Sequence, residues 1–199
     1  MFQAPGHWPL VTPRGYHGGM NERDRFLAAE DAELLGQCEV HTYKSSGPGG
    51  QHRNKVSSAV RLAHRPTGIS AHGDDSRSQH TNKLLAIRRL RMNIACRTRD
   101  QVDMQAADLP DVVRQCIFTP RGRGADAPPR LEIGAKDYRF WHVAAFLLDV
   151  LASAEGQVSQ AARRVGIGTA NFSALLKCDR HLLAAAQEIR RRFSLRPLT

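Results

Sequence analysis

Residues 38–64 read CEVHTYKSSGPGGQHRNKVSSAVRLAH, and this stretch decides the fold. Cys38 to Tyr43 alternates and carries β-forming residues, which predicts a strand. Ser45 to His52 is too rich in glycine for regular structure. Ser58 to His64 alternates again, Pro66-Thr67-Gly68 supplies a turn, and Ile69 to His72 returns as a short strand, so the pair makes a hairpin. On the N-terminal side, Glu22 to Leu35 sets Phe26, Leu27, Leu34 and Leu35 among charges and predicts one short helix ended by Gly36. On the other side, Ser76 or Ser78 can cap a helix running to about Thr98. Leu84, Ile87, Leu90 or Arg91, and Ile94 fall near helical spacing, with Lys83, Arg88 and Arg89 on the opposite face. Strand, glycine-rich loop, hairpin and basic helix make a small α+β unit.

Length and charge bound what such a unit can belong to. The chain has 199 residues, 41% hydrophobic and 24% charged, enough for one medium domain or two small ones and too apolar for a disordered basic tail. The longest apolar stretch, around Val143 to Ala152, contains Asp149 and is far too short to span a bilayer. Lys and Arg number 29 against 19 Asp and Glu, a net charge of +10, which points to a polyanion, nucleic acid before a membrane surface. The excess is local: residues 40–99 hold twelve basic residues and two acidic ones, Asp74 and Asp75. Cys38, Cys96, Cys116 and Cys178 form no CxxC pair, so they read as reduced cytosolic thiols. The spacing of His41, His64, His72 and His80 matches no metal motif, and no metal or other cofactor is expected. The first nineteen residues lack the apolar core of a secretory signal, which predicts a cytoplasmic protein with a poorly ordered segment over 1–20, and Met20 is an alternative start.

Beyond the basic helix, residues 100–118 are mixed and more acidic, and Thr119 to Arg130 is a linker by composition. Tyr138 to Ala152, Val158 to Val165, Thr169 to Lys177 and a last segment through Leu182, Leu183 and Ile189 to Arg192 read as helices. The middle pair, joined by Gly166-Ile167-Gly168, looks like a helix-turn-helix. Ala162 sits where the helices cross, and Val165, Ile167, Phe172 and Leu176 supply its core. Phe140 and Trp141 read as core residues. Thr169, Asn171, Lys177 and Arg190-Arg191-Arg192 are candidates for docking on RNA. The predicted organisation is a segment over 1–20, an α+β domain with its leading helix over 21–100, a connecting segment and linker over 101–130, and a helical domain over 131–199.

The chemistry centres on Ser46-Gly47-Pro48-Gly49-Gly50-Gln51-His52-Arg53-Asn54-Lys55. Its glycines permit close backbone approach to a ligand and expose N–H groups to an anion. No GK[ST] follows, so it is not a phosphate-binding P-loop, and GxGxxG is not matched. Gln51 has no useful pKa and cannot be a general base. Any catalytic work it does comes from position: its backbone N–H facing developing negative charge, and its side chain shaping a pocket for water.

The run SGPGGQHRNK, followed by SSAVRLAHRPTG and then SRSQHTNK before a basic helix, resembles the GGQ domain of class I peptide chain release factors and their ribosome-rescue relatives over about residues 37–98. The resemblance implies ribosome-dependent hydrolysis of peptidyl-tRNA, in termination or in rescue of stalled ribosomes, with the loop placed in the peptidyl transferase centre. It implies that Gly49 and Gly50 shape the loop and that the Gln51 backbone N–H stabilises the transition state and the leaving 3′-oxygen. The Gln51 side chain then selects water and is a site for N5-methylation by a glutamine methyltransferase. Ser46, Gly47, His52 and Asn54 support the loop. Lys44, Arg53, Lys55, Arg61, Arg77, Lys83, Arg88 and Arg89 are expected to contact RNA phosphates. The implied partners are the ribosome, through large-subunit rRNA, and P-site peptidyl-tRNA, with the protein acting as a monomer and away from membranes.

The sequence departs from codon-reading factors. Only about 36 residues precede the first strand, and neither P-x-T nor SPF lies where a codon-recognition domain belongs, so stop-codon reading is not expected. The C-terminus has apolar periodicity, unlike the Lys/Arg tail of the alternative rescue factor B type. The tight His64-Arg65-Pro66-Thr67-Gly68 hairpin is similar to that of the codon-reading factors. The competing reading is a catalytically inactive RNA- or DNA-binding module or regulator that uses the helix-turn-helix.

Overall fold

A computed structural model describes residues 21–44, 57–119 and 128–198. The chain is α+β and divides into two compact units, one ending at Ile94 and the other taking up the chain from Ala95.

The first unit begins with α1 (Glu22–Ala28), whose start is capped by Asn21 accepting from the Asp24 amide at 2.6 Å. Where the sequence predicts one helix over 22–35, the structure has two, because Ala29 takes up an extended conformation (φ −57°, ψ 142°) before α2 (Asp31–Gly36). The break serves a specific contact. It frees the Ala29 carbonyl to accept from Arg91 at 2.5 Å and sets Asp31 at a helix start, where Arg91 pairs with it. Leu27 and Leu34 are buried.

Three strands follow as expected: β1 (Cys38–Tyr43), β2 (Ala59–His64) and β3 (Ser70–Gly73), antiparallel in that order. Cys38 pairs with His64 and Tyr43 with Ala59; on the other side Ala63 pairs with Ser70 and Val60 with Gly73. α3 (Gln79–Arg97) begins after Ser78, whose hydroxyl accepts from the Thr81 amide. Its buried stripe is Asn82, Ala86, Ile87, Leu90 and Ile94, and each large aliphatic on it contributes roughly 1.5–3 kcal/mol by leaving water. Leu84, read from sequence as part of this stripe, is 39% exposed. It lies about 120° around the helix from Leu90, off the buried arc.

β3 is an edge strand, and α3 covers its free edge with side chains. Asn93 donates to the Ser70 carbonyl and Arg89 to the His72 carbonyl, both at 2.9 Å. The edge therefore has no open acceptors at those positions for a stray strand to pair with. At the end of β3 the two backbones meet. A Cβ on Gly73 would overlap the Asn82 carbonyl oxygen and lie 2.8 Å from its carbonyl carbon and 3.0 Å from the Ala86 nitrogen.

In the second unit, Arg99 donates to the buried Asp149 at 2.9 Å and to the Ala95 and Ala145 carbonyls, and the Asp100 amide adds a second bond to Asp149. A charge buried in this way is tolerated only because it is paired and hydrogen-bonded. α4 (Asp111–Arg114) leads into β4 (Ile117–Phe118), which pairs with β5 (Arg130–Leu131). Arg130, at the end of the stretch read as linker, thus belongs to a strand. α5 (Phe140–Ser153) is buried from Val143 to Leu151 and forms the centre of the unit.

Around it pack α6 (Val158–Val165), α7 (Thr169–Lys177) and α8 (Arg180–Arg192), at the bounds the sequence indicates for the first two. Ala162, Val165, Ile167, Phe172 and Leu176 are all buried, as expected of the helix-turn-helix core. Gly166 closes α6 in the left-handed region (φ +77°), and the Ile167 amide bonds back to the Ala162 carbonyl. Phe140 is buried and meets the half-buried Trp141 edge to face at 4.7 Å.

Two glycine substitutions separate steric from conformational demand. Gly73→Ala forces backbone apart and is expected to cost at least about 2 kcal/mol. Gly166→Ala, which has open space and only the positive φ to oppose it, is expected to cost about 1 kcal/mol. Denaturant midpoints of the two variants check the order, and equal midpoints contradict it.

Candidate functional site

The segment in which the sequence places the candidate chemistry connects β1 to β2. Ser46, Gly47, Gly49, Gly50, Gln51, His52, Arg53, Asn54 and Lys55 all fall within residues 45–56, outside the described residues. What the structure describes is the root of that loop. Its two ends lie side by side at the Tyr43–Ala59 pair that closes the β1–β2 ladder.

The returning end is tied down by Asn82, a fully buried side chain in the first turns of α3. Its Nδ2 donates to the Ser58 and Ser76 carbonyls, each at 2.8 Å, and its Oδ1 accepts from the Ser76 amide at 2.8 Å. Both amide protons and the amide oxygen are engaged, so one residue joins the loop end, the turn before α3 and the helix itself. Asn82 was not singled out from sequence. The available signal was its place four residues before Ala86 and eight before Leu90, a polar residue on an apolar stripe. At the departing end, the Tyr43 hydroxyl lies 3.2 Å from His72 Nδ1 and the rings meet edge to face.

The cations expected to meet RNA divide into two groups. Lys44, Arg61, Arg77 and Arg88 are exposed, and Lys83 is half-buried on α3. Arg89 differs from the expectation. It bonds the His72 carbonyl and pairs with Asp75 at 2.9 Å and Asp74 at 3.7 Å, so it engages both acidic residues of the segment 40–99 and fastens β3 to α3. Its guanidinium holds the Asp75 carboxyl below the usual range. The helix twist explains the split: Arg88 points away from the sheet, and Arg89, one residue on, lies on the flank facing β3.

At the far end of the hairpin, His64 is fully buried. Its Nε2 faces Gln37 Oε1 at 3.0 Å and its Nδ1 faces the Thr67 hydroxyl at 2.8 Å. A carbonyl oxygen only accepts, so Nε2 carries the proton and Nδ1 accepts from Thr67. Phe26 packs edge-on against the ring at 4.7 Å. Burial, with Arg65 beside it, pushes the imidazole below its ordinary pKa.

In the second unit most of the proposed RNA-docking residues are engaged internally. Asn171 exchanges two hydrogen bonds with the Leu131 backbone, sealing the edge of β5. Arg190 donates to the Gly156 and Arg196 carbonyls. Arg191 and Arg192 share Glu188. Thr169 and Lys177 are exposed on α7, beside Ala170 and Ala174. An open groove next to α7 is lined partly by Glu132 and Asp137. Among the described residues no group of three or more potential metal ligands clusters, and no helix is long and apolar enough to cross a membrane.

A three-stranded antiparallel sheet with a helix along its edge strand carries the GGQ sequence in its β1–β2 connection, and comparison with known proteins shows what this region is similar to. Residues 35–115 match the RF-1 domain family. Peptide chain release factor 1 of Leptothrix cholodnii is 48% identical over 94 residues, covering 45% of this chain and 25% of the relative. The same factor from Albidiferax ferrireducens is 50% identical over 97 residues (44% and 26%), and that from Rickettsia typhi 43% over 82 residues (41% and 22%). The chain therefore carries an RF-1 domain and is release-factor-like over that region, and it spans about a quarter of the length of these relatives. The matched region runs past α3 to Gln115, further than the motifs alone mark out.

Two outcomes test this geometry. His64 is held neutral in the fold, so stability is complete above the unfolded imidazole's pKa, about 6.5. It falls as the pH drops through that value toward the lowered folded one, because the unfolded chain binds the proton first. Urea midpoints are expected to fall between about pH 7 and pH 5, before carboxylates titrate; a midpoint that rises over this window contradicts the assignment. Separately, Arg89→Ala is expected to lower the midpoint by about 1–2 kcal/mol equivalent through loss of charged hydrogen bonds. Arg88→Ala is expected to stay within about 0.5 kcal/mol of wild type. Equal effects would show that Arg89 is no anchor.

Proposed function

We propose that this protein promotes hydrolysis of peptidyl-tRNA on the ribosome, in termination or in rescue of stalled ribosomes. The observation that carries the reading is a GGQ sequence, Gly49-Gly50-Gln51, placed in the β1–β2 connection of a matched RF-1 domain. The relatives it matches are named as peptide chain release factors.

The chemistry asks little of side-chain acids and bases. The ester linking peptide to tRNA is already activated. Water adds to its carbonyl carbon, the bond to the 3′-oxygen breaks, and the proton from water ends on that oxygen. In this reading the Gln51 backbone N–H donates to the oxygen that gains charge, and the side chain helps to seat the water. Gly49 and Gly50 let the backbone come close, and Ser46, Gly47, His52 and Asn54 hold the loop. Lys44, Arg53, Lys55, Arg61, Arg77, Lys83 and Arg88 are the proposed phosphate contacts, with Arg89 reassigned to the fold. N5-methylation of Gln51 and action as a monomer belong to the same proposal.

The competing reading, an inactive module that reads nucleic acid through α7, finds less support. Asn171 and Arg190 are held by backbone, and the groove beside α7 has carboxylates in its lining.

The test is peptide release from ribosomes carrying P-site peptidyl-tRNA with truncated mRNA, a stop codon or a sense codon in the A site. Gln51→Ala and Gly50→Ala are each expected to slow release by about 10²-fold or more, the scale of losing one transition-state donor. Rates equal to wild type in both variants would overturn the proposal, and the dependence on the A-site codon separates termination from rescue.

A further inference from the structure

One row of residues crosses all three strands on the face of the sheet opposite α3. His41 on β1 lies opposite Arg61 on β2, and Arg61 lies opposite His72 on β3. All three are exposed. Residues opposed in this way share a face, with Cβ atoms about 4.5–5.5 Å apart. The register therefore places a histidine on either side of an arginine, and no carboxylate occupies a position of the row.

Like charges directly opposite one another destabilise a strand pair, and histidine is the side chain whose charge changes between about pH 5 and 8. An anion seated on the row reverses the sign, since it attracts the guanidinium and draws protons onto both rings. The neighbouring groups favour that role. The Tyr43 hydroxyl holds His72 Nδ1 at 3.2 Å, leaving Nε2 as the outward nitrogen. With Tyr43 donating to the neutral ring, or accepting from the charged one, Nε2 keeps its proton in both states and remains a donor. Glu39, one position along the face of β1, has an oxygen 3.6 Å from His41 Nε2, but both side chains are 61% exposed. The Tyr43 hydroxyl is raised above its ordinary pKa by burial and then by Asp74, with Arg61 opposing. Asp74 and Asp75 are themselves paired with Arg89. Lys44, exposed and next to Tyr43, adds a cation where β1 enters the loop.

We propose that His41, Arg61 and His72 form a phosphate-binding row for RNA backbone, in which the two imidazoles share the phosphate charge with Arg61. The identity of that RNA as ribosomal rests on the function proposed above; the row itself rests on strand register and side-chain chemistry. Two consequences follow from its composition. RNA binding tightens on acidification, because phosphate and proton bind the row together. The salt dependence also steepens, by up to about 0.7–0.9 in log–log slope for each imidazole that becomes a phosphate partner.

The experiment measures binding of the full chain to isolated large ribosomal subunits at about pH 8 and about pH 6 over a salt series. Wild type is expected to bind several-fold tighter at the lower pH. A His80→Gln control is expected to do the same. The double variant His41→Asn with His72→Gln is expected to melt like wild type and to lose the pH response. Arg61→Gln is expected to weaken binding at both pH values. His64 cannot imitate the effect, since its protonation loosens the fold and acts in the opposite direction.

A wild type without tightening, or a double variant that retains it, overturns the inference. So does equal pH-linked binding to poly-glutamate, which would assign the row to an acidic protein surface. Peptide release assayed in parallel keeps the two claims apart. Release without a histidine-dependent pH response sinks only the row, and a histidine-dependent response without release sinks only the proposed hydrolysis.

Discussion

The first unit depends on the place where two backbones touch. β3 ends at Gly73, against the carbonyl of Asn82 and the amide of Ala86, with no room for a Cβ between them. That approach brings α3 near enough for its polar side chains to work on the strand. Asn93 and Arg89 reach the free carbonyls of β3, and Asn82 reaches back to Ser58 at the loop end. Were the helix a side chain's width further out, these bonds would lengthen beyond use, since hydrogen bonds weaken steeply past about 3.2 Å. The missing methyl at Gly73 is thus linked, through Asn82, to how firmly the root of the loop is held.

The regular elements were legible because local rules and tertiary packing agree. Alternation marked β1 and β2, a capping serine marked α3, and Gly166 marked the turn between α6 and α7. What sequence could not show is which polar side chain meets which backbone group across a large chain separation. Arg89 and Arg88 are adjacent and chemically identical. Only the presence of β3 and Asp75 on one flank of α3 makes the first an anchor and leaves the second exposed. The break at Ala29 is of the same kind, set by Arg91 from 62 residues away. Asn171 looks like a reader of nucleic acid in a helix-turn-helix, and becomes a clamp once β5 lies beside it. The loop residues 45–56 were legible as motif alone.

The same distinction changes the meaning of the net charge. The segment 40–99 holds twelve basic residues, but Arg89, Arg91 and Arg99 each pair with a carboxylate and bond backbone carbonyls. Such residues contribute to the count without offering a free positive surface. Among the described residues, the proposed phosphate contacts that stand exposed are Lys44, Arg61, Arg77 and Arg88, at the loop root, on the sheet, in the turn before α3 and on its outer face.

The proposed function has to separate two electrostatic demands. Binding a phosphate-rich partner wants fixed positive charge, and placing a water beside an ester wants a neutral donor whose own solvation does not compete. The sequence keeps the two apart. Cations stand on exposed faces and at the strand ends, and the sequence Gly49-Gly50-Gln51 carries no charge at all. The ladder closes at Tyr43 and Ala59, and Asn82 bonds Ser58, so the sheet that carries the cations is tied to the returning end of the segment that holds the GGQ sequence. Under the proposed function, a phosphate contact on the sheet would bear on hydrolysis through this tie, by positioning rather than by contact with the ester.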